Sequence, residues 1–128
     1  MIEIVGGVLI RKRELLLGRR APMKRICPNT WDALGGHREA GETLEQTLAR
    51  ELQEEIGVTP LAFAWIATLP FVHDGRAAAF TLYRVDAWTG EPVLANDEHT
   101  ELRWFGIEEA AGLRDLAADE YREVFRSL

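Results

Sequence analysis

Gly36-His37-Arg38-Glu39-Ala40-Gly41-Glu42-Thr43-Leu44-Glu45-Gln46-Thr47-Leu48-Ala49-Arg50-Glu51-Leu52-Gln53-Glu54-Glu55-Ile56-Gly57-Val58 is the stretch on which the reading of this 128-residue chain turns. Leu44, Leu48, Leu52 and Ile56 step by four, and at 100° per residue they form one apolar ridge about 120° wide. Thr43 with Gln46 makes a capping-box start and Gly57 a stop, so the spacing predicts a helix over 43–56. Glu51, Glu54 and Glu55 stand at i, i+3 and i+4 on a neighbouring arc of about 100°, where like charges repel by about 0.2–0.5 kcal/mol per adjacent pair. A helix selected for stability alone would interleave Lys there. Hard cations such as Mg²⁺ take several oxygen ligands, keep some waters and bridge to substrate phosphates. Arg50, four residues before Glu54, is placed to orient a carboxylate. Glu42 adds an acid at the helix entry, and Gly35-Gly36 lets a backbone carbonyl approach the same ion. The plainer alternative is a solvated acidic face, which the clustering and the preceding Gly pair make the poorer account.

Outward from this helix, Ile2–Ile10 and Glu14–Gly18 read as a hairpin turning at Arg11-Lys12-Arg13. Residues 19–30 read as a loop, and Thr30–Leu34 as a short strand halted by Gly35-Gly36. Leu61–Val72 and Ala77–Trp88 are strand-like runs joined across the turn pair Asp74-Gly75, and Glu101–Phe105 is a further short strand. Asp115–Phe125 reads as a second amphipathic helix, with Leu116, Val124 and Phe125 inward and Asp119, Glu120 and Glu123 exposed. Strands before, between and after two helices imply a mixed sheet with helices packed against it, an α/β layered domain.

The length suits one domain with a core, and 47% hydrophobic residues exclude a disordered chain. No apolar run approaches the roughly 20 residues of a membrane span. The N-terminus is apolar first and basic second, the reverse of a secretory signal, and the single Cys27 cannot form an internal disulfide. The expectation is a soluble, cytoplasmic, single-domain protein. Residues 1–30 hold seven basic and two acidic residues, leaving eight basic and nineteen acidic in the remainder. An acidic chain without a long basic stripe is a poor nucleic-acid binder. A small anionic substrate fits if a metal shields the acidic part. A P-loop is absent, and Ser127 as the only serine removes Ser-His-Asp chemistry.

Gly36, five residues, Glu42, seven residues, then Arg50-Glu51-Leu52-Gln53-Glu54-Glu55-Ile56-Gly57-Val58 resembles the Nudix box. All nine fixed or class-restricted positions are filled within 23 residues. Arg19-Arg20, Gly41-Glu42-Thr43, Glu45-Gln46, Trp88-Thr89-Gly90-Glu91-Pro92, and Glu98 six residues before Trp104 extend the likeness toward the MutT branch over most of the chain. The resemblance implies a Nudix-type α/β/α sandwich with two main helices, spanning 1–128 with its box at 36–58. It implies hydrolysis of a nucleoside diphosphate linked to another group with Mg²⁺ or Mn²⁺. The first expectation is a (deoxy)nucleoside triphosphate, oxidised purines included, cleaved to monophosphate and pyrophosphate. ADP-ribose or another nucleotide sugar is the alternative substrate, and a non-catalytic nucleotide-binding sensor the alternative of another class. Such sensors typically lose a glutamate of the box. Trp31-Asp32-Ala33-Leu34-Gly35-Gly36-His37 departs from the MutT form, which has Pro before the Gly pair and Lys after it.

By the same resemblance Glu51, Glu54 and Glu55 would hold the metal, with a carbonyl of Gly35 or Gly36. Glu42 would brace the loop or join a further ion, and Arg50 would orient a box glutamate. Glu98 is the loop candidate for a general base, and a box glutamate the other. Arg19 and Arg20 are phosphate candidates, of which strand alternation lets only one face the site; the likeness favours Arg20. Asp119 corresponds to a base-reading position near the last helix, and Trp31 is the tryptophan allowed near a base. His37, His73 and His99 lack metal spacing and read as surface histidines. Partners are a small-molecule nucleotide, with no nucleic acid and no membrane, acting as monomer or homodimer.

Overall fold

The computed structural model describes residues 1–128. β1 (Ile2–Arg11) and β2 (Glu14–Arg20) form the expected hairpin, with Lys12 and Arg13 taking the positive φ of the turn. β3 (Trp31–Asp32) and β4 (Leu34–His37) follow, then α1 (Leu44–Ile56), β5 (Thr59–His73), β6 (Arg76–Thr89), β7 (His99–Gly106), α2 (Ile107–Ala111) and α3 (Tyr121–Arg126). α1 has the complete Thr43–Gln46 capping box and a left-handed Gly57 at its end. β1 is the spine of the seven-stranded mixed sheet. It runs parallel to β6 and antiparallel to β4, while β2 carries β3 and β7.

Helices cover both faces of the sheet. The α1 ridge packs on Val5, Leu9, Leu16 and Val85, all buried. α2 and α3 cover the other face through Ala110, Ala111, Tyr121 and Phe125 against Val8, Leu15, Leu17 and Phe105. This is the α/β sandwich expected. No helix is long and apolar enough to cross a membrane.

Three elements differ from the sequence expectation. The Gly pair does not halt a strand but lies inside β4, because that strand approaches β1 too closely for a side chain. A Cβ on Gly35 would fall 1.8 Å from the Val5 carbonyl oxygen. The second helix begins at Tyr121 rather than Asp115, and the short α2 precedes it. Residues 115–117 pair instead with β3: the Trp31 N–H donates to the Asp115 carbonyl at 2.8 Å, and the Ala117 N–H to the Trp31 carbonyl at 2.9 Å. Backbone groups engaged by a strand are not free for a helical ladder. β7 begins at His99, two residues before the expected start.

Candidate active site

The sheet and α1 frame a cavity of about 670 Å³. One wall is the α1 edge with Glu51 and Glu55, reached through Gly35, Gly36 and His37 of β4. Arg20 and Lys24 supply cationic groups, and Leu69, Phe71 and Phe80 form an apolar wall. Residues 117–121 close one side.

Arg50 organises the exposed half of the acidic group. Its Nε donates to Glu42 at 2.6 Å, Nη1 to Glu51 at 2.9 Å and to both Glu54 oxygens at 3.3 Å, and Nη2 to the His37 carbonyl at 2.9 Å. Glu42 also accepts from Thr47 and the Glu39 N–H, which ties the loop to the helix. These donors hold the Glu42 carboxyl down to about 2, Arg50 contributing most, and Glu42 in turn raises the Arg50 guanidinium further. Glu51 is half-buried, and desolvation raises its pKa against the pull of Arg50. A Cβ on Gly36 would sit 2.6 Å from the Glu51 carboxylate, so glycine here makes the space that carboxylate fills.

Glu55 has no such cation. Its side chain is 3% exposed, and burial, then the Glu51 charge, push its pKa up to about 8. Its Oε1 is buried without a partner. Beside it His99, 5% exposed, places Nδ1 4.0 Å from Glu55 Oε2, and desolvation followed by the charges of Arg20 and Lys24 lowers the imidazole to about 4. The carboxylates do not by themselves close into a cage, and Arg50 is hydrogen-bonded to those of Glu42, Glu51 and Glu54. A divalent cation nonetheless fits the donor set: an all-oxygen group on one helix edge, including a buried carboxylate oxygen that nothing else satisfies.

Arg20 faces the cavity, with Nε on the Ile26 carbonyl at 2.9 Å and Nη1 3.4 Å from Asp32. Arg19 points away, to Asp115 at 2.8 Å and over the Trp31 ring. Glu98 lines the cavity and is ion-paired with Lys24. Trp31 does not line it. The ring is 4% exposed and packs edge-on against Phe105 at 5.0 Å, because alternation along β3 turns Asp32, not Trp31, toward the cavity. Asp119 sits in the turn before α3 rather than on a helix. It touches the cavity rim, but its side chain is 86% exposed and paired with Arg122 at 3.2 Å.

Several cavity residues escaped the sequence reading. Asp32 is buried with its Oδ1 accepting from the Tyr121 hydroxyl at 2.5 Å. Desolvation raises its pKa, opposed by Tyr121 and Arg20. His37 is exposed, as expected of a surface histidine, and its ring meets that of the partly buried His73 edge-on at 5.2 Å. His99 is buried, not surface. Of these, only Asp32 and His37 carried a local signal, beside the Gly pair.

The NUDIX domain family matches residues 3–128, and the chain belongs to that family. It is similar to the 8-oxo-dGTP diphosphatase of Escherichia coli (strain K12), 36% identical over 88 residues, covering 69% of this chain and 67% of that protein. The CTP pyrophosphohydrolase of the same organism is 32% identical over 110 residues, covering 86% of this chain and 79% of that protein. Among solved structures, the MutT protein of Methanosarcina mazei Go1 superposes with a TM-score of 0.87 at 25% identity, covering 98% of this chain and 91% of that one. The protein is thus a Nudix hydrolase.

Proposed function

We propose that this Nudix hydrolase cleaves (deoxy)nucleoside triphosphates to the monophosphate and pyrophosphate with Mg²⁺ or Mn²⁺. The observation that carries the reading is the single cavity joining three environments: the Glu51/Glu55 edge of α1, the Arg20 and Lys24 cations, and the apolar wall of Leu69, Phe71 and Phe80. A polyphosphate needs the first two and a base suits the third. Glu51, Glu54 and Glu55, with a Gly35 or Gly36 carbonyl, would hold the cation, and Glu42 would brace the loop or join a further ion. When bound, the cation lowers the charge on the phosphates and activates water for attack on phosphorus.

Arg50 keeps the carboxylates oriented, Arg20 binds phosphate, and Glu98 serves as the general base, with Lys24 beside it to hold its carboxylate. The residue set 1–128 acts as one domain, in keeping with the span of the family match. The test is a substrate panel with Mg²⁺ in ¹⁸O water: dGTP, its 8-oxo form, CTP, ATP and ADP-ribose, with products resolved by chromatography. Pyrophosphate release from a triphosphate is expected. Faster cleavage of ADP-ribose would move the assignment to nucleotide sugars, and tight binding without turnover would make the protein a sensor.

A further inference from the structure

Along β7, Leu102 and Trp104 pack on the α1 side of the sheet, while Phe105 packs on the opposite core and Arg103 lies over the Trp31 and Phe105 rings. Strict alternation would put His99 with Glu101 and Arg103, away from α1. The register breaks between Arg19 and Arg20: Arg19 opposes Glu101, but Arg20 opposes His99. Thr100 is the extra residue of a β-bulge, which reverses the side-chain alternation and re-aims what precedes it. His99 consequently enters the α1 side and fills the space above Gly18, where a Cβ would lie 2.6 Å from its ring. There its Nδ1 stands 4.0 Å from Glu55 Oε2, both side chains nearly fully buried. Neither His99 Nε2 nor Glu55 Oε1 has a partner. A leucine would fill the same volume without stranding a polar ring.

We propose that His99 is the positioning residue for Glu55: the bulge and Gly18 bring its imidazole to the carboxylate, and its Nδ1–H donates to Glu55 Oε2 and fixes how Oε1 is presented to the cavity. The separation of 4.0 Å is longer than a hydrogen bond, so the donation requires the two groups to approach by about 1 Å. The role rests on the proposed function in so far as Glu55 is a cation ligand. Partners of this kind set the orientation and basicity of a ligating carboxylate.

The wild-type protein tests the contact without mutation. Long-range ¹H–¹⁵N correlation on ¹⁵N-histidine-labelled, metal-free protein at pH 9, where the Glu55 carboxylate is ionised, should show His99 protonated at Nδ1, and the Nε2-protonated tautomer would overturn the proposal. Two variants test the role, with Mn²⁺ affinity of the free protein read by electron paramagnetic resonance and folding checked by thermal unfolding. His99→Leu fills the site without a donor and should weaken Mn²⁺ about 10–100-fold, whereas His99→Asn, whose amide nitrogen lies near the Nδ1 position, should stay within about threefold. Equal losses in both, or none in His99→Leu, would leave only a packing role. If His99→Leu fails to fold, the tautomer and the Asn variant decide. Glu55→Gln is measured in parallel. Unchanged Mn²⁺ affinity there sinks Glu55 as a ligand, while the tautomer still reports the contact.

Discussion

Glu54 and Glu55 are neighbours on α1, yet their surroundings are opposite. Glu54 is about half exposed and shares the Arg50 guanidinium with Glu42 and Glu51. Glu55 lies beneath the sheet edge beside a neutral imidazole, with one oxygen unpartnered. The first group is neutralised in advance and holds its geometry; the second stores an unfavourable burial that a cation would relieve. An exposed paired carboxylate adds little to stability, while a buried unpaired one costs stability and is retained where it has a function. The acidic edge therefore divides into carboxylates tied together by Arg50 and a buried carboxyl, Glu55, with no cation beside it.

The strongest way to break this division is Glu55→Gln. Loss of several kcal/mol of transition-state stabilisation should lower kcat by about 10²–10⁴-fold, while thermal unfolding stays unchanged or improves because the native state no longer has to hold a proton that the unfolded chain releases. Full activity would place the reactive carboxylate elsewhere on the edge. Glu98→Gln comes next: as the base it should lower kcat by at least about 10²-fold with little change in KM. A loss within about threefold would pass the role to a box glutamate, Glu51 first.

Arg50→Lys probes the carboxylates that Arg50 ties together. The forked contacts to three carboxylates and the His37 carbonyl cannot be rebuilt by an ammonium. Activity should fall about 10-fold and stability by about 1–3 kcal/mol, measured by chemical denaturation. An unaltered unfolding midpoint would show that the network is not structural.

The pH dependence of metal-free stability sharpens the comparison further. Glu55 is raised from 4.5 to about 8 in the folded state, so between those values the native protein keeps a proton that the unfolded chain has released, and stability falls as pH rises. His99 is lowered from 6.5 to about 4, so its contribution rises with pH across that range. The two oppose below pH 6.5, and Glu55 alone acts above it. Melting temperature should therefore decline from pH 6.5 to 8 in EDTA, and Glu55→Gln should flatten that decline. Parallel profiles in the two proteins would contradict the buried charge.

Asp119→Ala should have the smallest effect. An exposed acid held by Arg122 is poorly placed to read a base, so kcat/KM ratios among GTP, dGTP, 8-oxo-dGTP and ATP should move less than about twofold, below the tenfold of 1.4 kcal/mol. A larger change would return base reading to that residue.

α1, its caps, its acidic arc and the two hairpins were legible locally, and strand alternation allowed only one of Arg19 and Arg20 to face the cavity, the family likeness favouring Arg20. These depend on contacts three or four residues apart, on alternation along a strand, or on a turn pair, and such periodicities are visible locally. Tertiary structure decided the rest. Residues 115–117 stay extended because Trp31, some 85 residues earlier in the chain, takes their backbone hydrogen bonds. Trp31 enters the core and Asp32 the cavity because of how β3 lies against β2. His99 reaches Glu55 only through a one-residue bulge opposite Arg20 and a missing side chain at Gly18. Each of these depends on which distant strand supplies a partner and in what register, and no pattern within a single element contains that information.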